Sequence, residues 1–339
     1  MQTVKRFLKR ILIWGLALIF VLTTAGMLYQ TASAEADRRK FPAPGHLIDV
    51  GGFKMHIHCT GEGSPTVILE TLAGGTSSYW GRVQPEVAKT TRVCAYDRAG
   101  RGWSEPDPEP NTLSRTVRNL RILLNHANVE GPYVLVGHSI GGIYVRQFAA
   151  QYPQDVIGMV LVDAAHPDQY ERYPEMLEMN ESYLQVSSIF PALARLGVFR
   201  LYFALGGELD FAEMQEPQKS EIRSMWSSPE YFTSQHAEAI AASEIYGSGQ
   251  KLGRLVNLPL LVISAGQNNP GGWMELQSDL ALLSDNSIHL RLQSATHVSL
   301  AFHPKDAHQV SLGILNILQA IQTGERLEAV FSPAVTGVK

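Results

Sequence analysis

From His46 to Ile321, short apolar runs alternate with stretches of helical periodicity, and that alternation predicts an α/β architecture. Leu47–Val50 and Lys54–Cys59 read as two strands joined at Gly51-Gly52. Thr66–Glu70 is a compact apolar strand behind a Gly-Ser-Pro turn, and Thr91–Tyr96 is the next. Leu113–Ala127 repeats apolar residues at helical spacing, and Tyr133–Val136 follows as a buried strand. Ile143–Tyr152 is a helix stopped by Pro153. Gly158–Val162, Pro259–Ser264 and Ile288–Leu292 complete the strands, and Ala307–Ile321 closes the pattern as a helix.

One interval breaks this rhythm. Residues 166–257 are rich in Met, Phe, Tyr and Trp at helical spacings and contain no strand pattern, so they read as a helical insertion. The strand-bearing core is then 46–165 together with 258–322, and 323–339 reads as a loose tail.

The N-terminus has a different character. Lys5, Arg6, Lys9 and Arg10 precede an uninterrupted apolar stretch from Ile11 to Tyr29, long enough as a helix to cross a bilayer core. The basic flank holds the N-terminus on the cytoplasmic side. Ala32-Ser33-Ala34 is a small-residue site of the kind signal peptidase cuts. Residues 1–35 are therefore an uncleaved anchor, or a signal cleaved near Ala34, and either way the remainder lies on the non-cytoplasmic side. Residues 36–45, polar with Pro42 and Pro44, read as a linker.

Composition narrows the function. The net charge is −4 with no long basic run beyond the first ten residues, which sets nucleic-acid binding aside. The two cysteines, Cys59 and Cys94, fall in predicted strands and in no metal-ligand pattern. They read as buried small side chains, with one bridge open to them in an exported domain. His56 and His58 share one strand face, but two histidines without a third ligand do not make a metal site.

The segment Tyr133-Val-Leu-Val-Gly137-His138-Ser139-Ile140-Gly141-Gly142 carries G-x-S-x-G directly after a strand and directly before a helix. A serine in that sharp turn stands above the sheet edge at a helix N-terminus, where main-chain N–H groups favour developing negative charge. Gly137 and Gly141 remove side chains that would collide with adjacent backbone. A serine hydroxyl needs a base to take its proton. His297 follows the last predicted strand and precedes the closing helix, which makes it the candidate base; His303 reads as a surface residue.

With these residues in hand, the chain from His46 to Ile321 resembles the α/β-hydrolase family. Asp97-Arg98-Ala-Gly100-Arg-Gly102-Trp-Ser104 is similar to the family's D-R-x-G-x-G-x-S turn, and Gly137–Gly141 and His297 follow in the expected order. The resemblance implies a mostly parallel central sheet flanked by helices, with 166–257 as a helical cap. It assigns Asp97 and Arg98 to architecture. It implies an oxyanion hole from the main-chain N–H of Ile140 and, in the loop Glu70–Gly75, of Ala73, although Thr71-Leu72 stand where relatives often carry His-Gly.

The acid departs from the common pattern. Most members carry it after the strand read here as Pro259–Ser264, but this chain has Gly266-Gln267-Asn268-Asn269. The haloalkane dehalogenase branch is similar in a different respect, carrying its acid at the end of strand six, where this chain has Asp163. Asp163 is therefore the preferred acid, with Asn268, Asn269 or Asp168 as alternatives. A serine nucleophile forms an acyl-enzyme, so the implied substrate is a small ester or related acyl compound, and the chemistry needs no cofactor. Phe190, Leu193, Leu196, Phe199, Leu201, Tyr202 and Phe203, with Met225, Trp226, Tyr231 and Phe232, read mostly as cap packing, and some as an apolar pocket wall. Arg172, Arg195 and Arg200 keep carbon–carbon bond hydrolysis open as a second reading. A ligand sensor that has kept the fold without the chemistry is a third.

Overall fold

The computed structural model describes residues 2–208 and 214–331. Its centre is a sheet of eight strands: β1 (His46–Asp49), β2 (Lys54–Thr60), β3 (Thr66–Glu70), β4 (Val93–Tyr96), β5 (Tyr133–His138), β6 (Val156–Val162), β7 (Leu260–Ala265) and β8 (Ser287–Leu292). Their order is β1-β2-β4-β3-β5-β6-β7-β8. β2 pairs antiparallel with β1 and β4, and all other pairings are parallel. β3, β4, β5 and β7 are buried at every position, the condition of parallel strands covered by helices on both faces.

The first helix, α1 (Gln2–Lys40), runs well past the apolar stretch. The linker expected at 36–45 is helical to Lys40. Glu35 pairs with Arg38 and Arg39 one turn on, and Arg38, Arg39 and Lys40 sit where the helix's negative end favours cations. Pro42 then blocks continuation.

Alternate residues of each strand feed two apolar layers. Val67 and Leu69 face α2 (Val83–Val87) and the long closing helix, whereas Ile68 and Leu135 face α3 (Leu113–His126) and α4 (Gly141–Gln151). Six helices follow β6 before the chain returns to the sheet. They are α5 (Gln169–Arg172), α6 (Pro174–Ser187), α7 (Phe190–Arg195), α8 (Val198–Ala204), α9 (Gln218–Met225) and α10 (Pro229–Gly249). The start of α10 is set by Ser228, whose hydroxyl accepts the Tyr231 N–H at 3.1 Å, with Pro229 next. The remaining helices are α11 (Trp273–Ala281), α12 (Ser299–Phe302), α13 (Pro304–Thr323) and α14 (Leu327–Val330).

Two further expectations need correction. Residues 323–331 are not a loose tail: Leu327 and Phe331 are buried in the layer beneath α13. A single turn is too short to display helical periodicity, so the pattern missed it. Residues 332–339 of that tail lie outside the described residues. Cys59 and Cys94 are not merely small buried side chains; they stand directly opposite on β2 and β4 and are joined as a disulfide.

Candidate active site

The G-x-S-x-G segment bridges the C-terminal end of β5 and the start of α4. Ser139 lies at φ +57°, a left-handed conformation that costs a non-glycine residue about 1–3 kcal/mol. The surrounding backbone holds it there. The Ser139 N–H donates to Val162 O at 3.1 Å, and its carbonyl accepts from Gly142 and Ala165 at 2.9 and 2.8 Å. A Cβ on Gly137 would stand 2.6 Å from Gly141 O, and one on Gly141 would stand 2.8 Å from Thr71 O. Only glycine at both positions lets this turn sit against the end of β3. Ile140 caps the N-terminus of α4, where main-chain N–H groups have no intrahelical acceptor.

Asp163 follows the last residue of β6 and is fully buried. Its Oδ1 accepts from the Ala265 N–H at 3.0 Å and from Trp273 Nε1 at 2.8 Å, and its Oδ2 lies 2.6 Å from His297 Nδ1. Burial alone would push the carboxyl's pKa up. The bonds from His297, Trp273 and Ala265 outweigh it and hold the group below its ordinary range. With a carboxylate facing Nδ1, the imidazole proton sits there and Nε2 is left as the basic nitrogen.

His297 lies in the loop between β8 and α12. Thr296 and Ser299 bond reciprocally around it, and Ser299 Oγ donates to Asp306 Oδ2 at 2.5 Å. The main-chain carbonyl of His297 accepts from His138 Nε2 at 2.9 Å. Burial, with the neighbouring His297, pushes the His138 pKa down to about 3, so this ring is neutral and carries its proton on Nε2. Among the described residues no hydrogen bond closes on the Ser139 hydroxyl, which is partly exposed. Such contacts commonly tighten only with substrate bound.

The structure thus brings Asp163 to His297 and leaves the alternatives elsewhere. Asn269 Nδ2 donates to Ala265 O at 2.7 Å, Asn268 is exposed, and Asp168 faces His166 at 3.9 Å. Ala73 is exposed in the loop after β3. In that loop the N–H groups of Thr71, Gly74 and Gly75 are taken by Glu70 Oε1, Glu238 Oε2 and Leu72 O, whereas those of Leu72 and Ala73 are uncommitted among the described residues.

The loop's carbonyls expose something the sequence did not. Arg98 donates to Thr71 O at 2.9 Å and to Leu72 O at 2.8 Å, pairs with Glu70, and pairs with Glu238 of α10 at 2.9 Å. Arg101 also pairs with Glu238 at 2.9 Å, and all four charged groups are buried. Burial works against the charged Glu238, but Arg98 and Arg101 prevail and its pKa falls; at Glu70 burial prevails and the pKa rises. Helical periodicity hid Glu238, because one carboxylate on a cap helix looks like any solvated charge.

The other flagged residues are structural. His56 Nε2 accepts from Gly45 N–H at 3.2 Å, which places the ring proton on Nδ1 facing Asp97 at 2.8 Å. Asp97 also accepts from the N–H groups of Ser77 and Trp103. Arg172 pairs with Asp279 and Glu275, and Arg200 with Asp37. Arg195 and Arg200 line a cavity of about 830 Å³ between α1, the Arg98–Ser104 turn and the cap, which includes neither Ser139 nor His297.

Around the site the walls are apolar. Leu72 and Val298 pack with the cap's Met214, Ile222 and Trp226, and Ile140 packs with Ala241, Ala242 and Ile245 of α10.

The sequence matches the family model described as alpha/beta hydrolase fold over residues 65–304. An uncharacterized protein of Schizosaccharomyces pombe is 29% identical over 228 residues, 65% of this chain; the chain spans 40% of that relative's length. A thermophilic esterase from Thermogutta terrifontis superposes with a TM-score of 0.60 at 21% identity, covering 81% of this chain and 97% of its own. A haloalkane dehalogenase loop variant from Bradyrhizobium elkanii gives 0.65 at 16% identity, covering 83% and 99%. At such identities the two structures speak to the fold alone. The strand order and the motif match agree, and the chain belongs to the alpha/beta hydrolase fold family.

Proposed function

We propose that this hydrolase cleaves a carboxylic ester through an acyl-enzyme on Ser139. The observation that carries the reading is the 2.6 Å contact of His297 Nδ1 with buried Asp163, made beside a strained Ser139 turn. His297 Nε2 takes the Ser139 proton as Oγ attacks the ester carbonyl. The oxyanion is met by the N–H of Ile140 and an N–H from Leu72–Ala73, with Ala73 the preferred donor; one such donor is worth about 3 kcal/mol. The tetrahedral adduct collapses, His297 hands its proton to the departing alkoxide, and the alcohol leaves. Water, deprotonated by His297, then splits the acyl-serine and restores the enzyme. The apolar walls at Leu72, Val298 and Ile140 favour an uncharged acyl or alcohol group. Arg172 and Arg200 are occupied by ion pairs, and Arg195 lines the cavity that includes neither Ser139 nor His297, which weighs against the carbon–carbon hydrolase reading.

We also read α1 as a retained anchor, with the catalytic body on the non-cytoplasmic side. Its apolar side chains from Ile11 to Leu22 are exposed, as a lipid-facing span requires. Beyond them Gln30 is buried against the cap, donating to Ser227 O at 3.0 Å and accepting from Arg200 Nε at 2.7 Å. Cleavage near Ala34 would remove these contacts. The Cys59–Cys94 disulfide suits an oxidising compartment.

Fluorophosphonate labelling of the detergent-solubilised full chain tests the reaction. Label on wild type that is absent from Ser139→Ala is the expected result. Folded wild type that takes no label and hydrolyses no ester across a chain-length series would sink it, and would favour the ligand sensor.

A further inference from the structure

Helix α8 has two faces with different surroundings. On one, Phe199 stacks on Phe232 with ring centroids 4.1 Å apart, and Arg200 reaches Gln30 and Asp37 of α1. The other consists of Val198, Leu201 and Tyr202, continued by the capping Leu205, at i, i+3, i+4 and i+7, which are 41%, 54%, 49% and 78% exposed. A helix at a protein–water boundary normally presents polar side chains on that face. Here three of the four positions are aliphatic, and the fourth, Tyr202, has a single hydroxyl that donates to Glu208 O at 3.0 Å.

The contact with α1 fixes the level at which α8 begins. Gly197, just before α8, packs so tightly that a Cβ there would stand 3.0 Å from the Tyr29 ring and 3.4 Å from Gly26 O. Gly26 in turn admits the Leu196 carbonyl, which would lie 2.5 Å from a Cβ. At about 1.5 Å per residue, a hydrocarbon core roughly 30 Å thick that begins at Ile11 ends just past Tyr29. The contact at Gly26–Tyr29 therefore falls in the last turn of the span. Polar ties to the cap start immediately beyond it, at Gln30 and Asp37.

We propose that the Val198–Leu201–Tyr202–Leu205 face of α8 is seated in the bilayer interface, so that the cap itself contacts lipid. This rests on reading α1 as a retained anchor. Continuity with the span selects the occupant: an amphipathic helix lying in the interface buries its apolar face about 5–10 Å, the depth this contact sets. Behind the face, apolar contacts run inward from Phe199 to Phe232, Tyr231 and Trp226, and Trp226 packs with the cluster of Leu72 and Val298 beside the site. The substrate class that fits this arrangement is an ester dissolved in the bilayer.

The test uses the full chain in phosphatidylcholine vesicles, with single cysteines carrying an environment-sensitive fluorophore. Cys59 and Cys94 are bonded to each other and take no label. Leu201→Cys and Leu205→Cys report on the face, Trp14→Cys reports on the span, and Leu282→Cys, 70% exposed on the core, is the aqueous control. The expected result is blue-shifted emission and quenching by lipid-borne nitroxides at 14, 201 and 205, with no quenching at 282. Quenching at 14 while 201 and 205 behave like 282 overturns the seating of the cap and leaves the anchor standing. No quenching at 14 overturns the anchor, and the seating of the cap with it.

Discussion

His138 Nε2 donates to the main-chain carbonyl of His297 at 2.9 Å, so the residue before the proposed nucleophile holds the loop that bears the proposed base. The bond crosses the apex of the site from β5 to the segment after β8. The two rings also lie 4.8 Å apart between centroids. With a pKa near 3, His138 stays a neutral donor at any working pH.

From that bond, His138→Ala should lower kcat on a short-chain ester by about 10-fold, the equivalent of roughly 1.4 kcal/mol, while leaving KM nearly unchanged. His138→Gln, whose amide can still donate, should recover part of the loss. Steady-state kinetics of the two variants decide it. A KM effect with unchanged kcat would show that His138 does not act through His297.

Asp163→Asn keeps the shape of the site but lets the His297 imidazole present the wrong nitrogen. Turnover should fall by about 10⁴-fold, as in the best-studied triad. Asn269→Ala should cost little, since its amide bonds Ala265 O. Equal, small losses in the two variants would remove Asp163 from its role.

The pKa of Asp163 is lowered in the fold, which fixes the sign of a pH effect. Its stabilisation is fully present above the ordinary value of 3.8 and is lost as pH falls through the lower folded-state value. Wild type should therefore lose more Tm than Asp163→Asn as pH falls below about 4. Parallel curves from thermal scans would contradict the assigned shift.

Glu238 answers both Arg98 and Arg101 in a buried cluster. Glu238→Ala leaves a positive charge there without its partner, and should destabilise the protein by about 3–5 kcal/mol. It also frees the Gly74 N–H and slackens the loop proposed to supply an oxyanion donor, so the rate of fluorophosphonate labelling should drop as well. Urea midpoints and labelling rates measure the two effects separately.

Much of this was legible in the sequence, for identifiable reasons. Apolar runs without alternation marked the covered strands, and Gly137 and Gly141 marked the turn because a Cβ at either position would collide with backbone. Asp163 was reachable by position along the chain, and the bonds from Trp273 and Ala265 that hold it charged were not. Contacts of high sequence separation stayed hidden. Arg98 to Glu238 spans 140 residues, and Gln30 to Ser227 spans 197. The helical end of α1 was missed because Glu35, Arg38 and Arg39 look like linker charges until their one-turn spacing is read as ion pairs.

Ser139 and Asp163 sit 24 positions apart, each directly after the end of one of two neighbouring strands, where His138 of β5 is in register with Val162 of β6. The proposed nucleophile and acid are therefore delivered by one β-α-β unit that the chain completes before it enters the cap. Only His297 has to be carried back from the far side of that insertion. The insertion can thus lengthen or shorten without altering the spacing of two of the three proposed reacting groups.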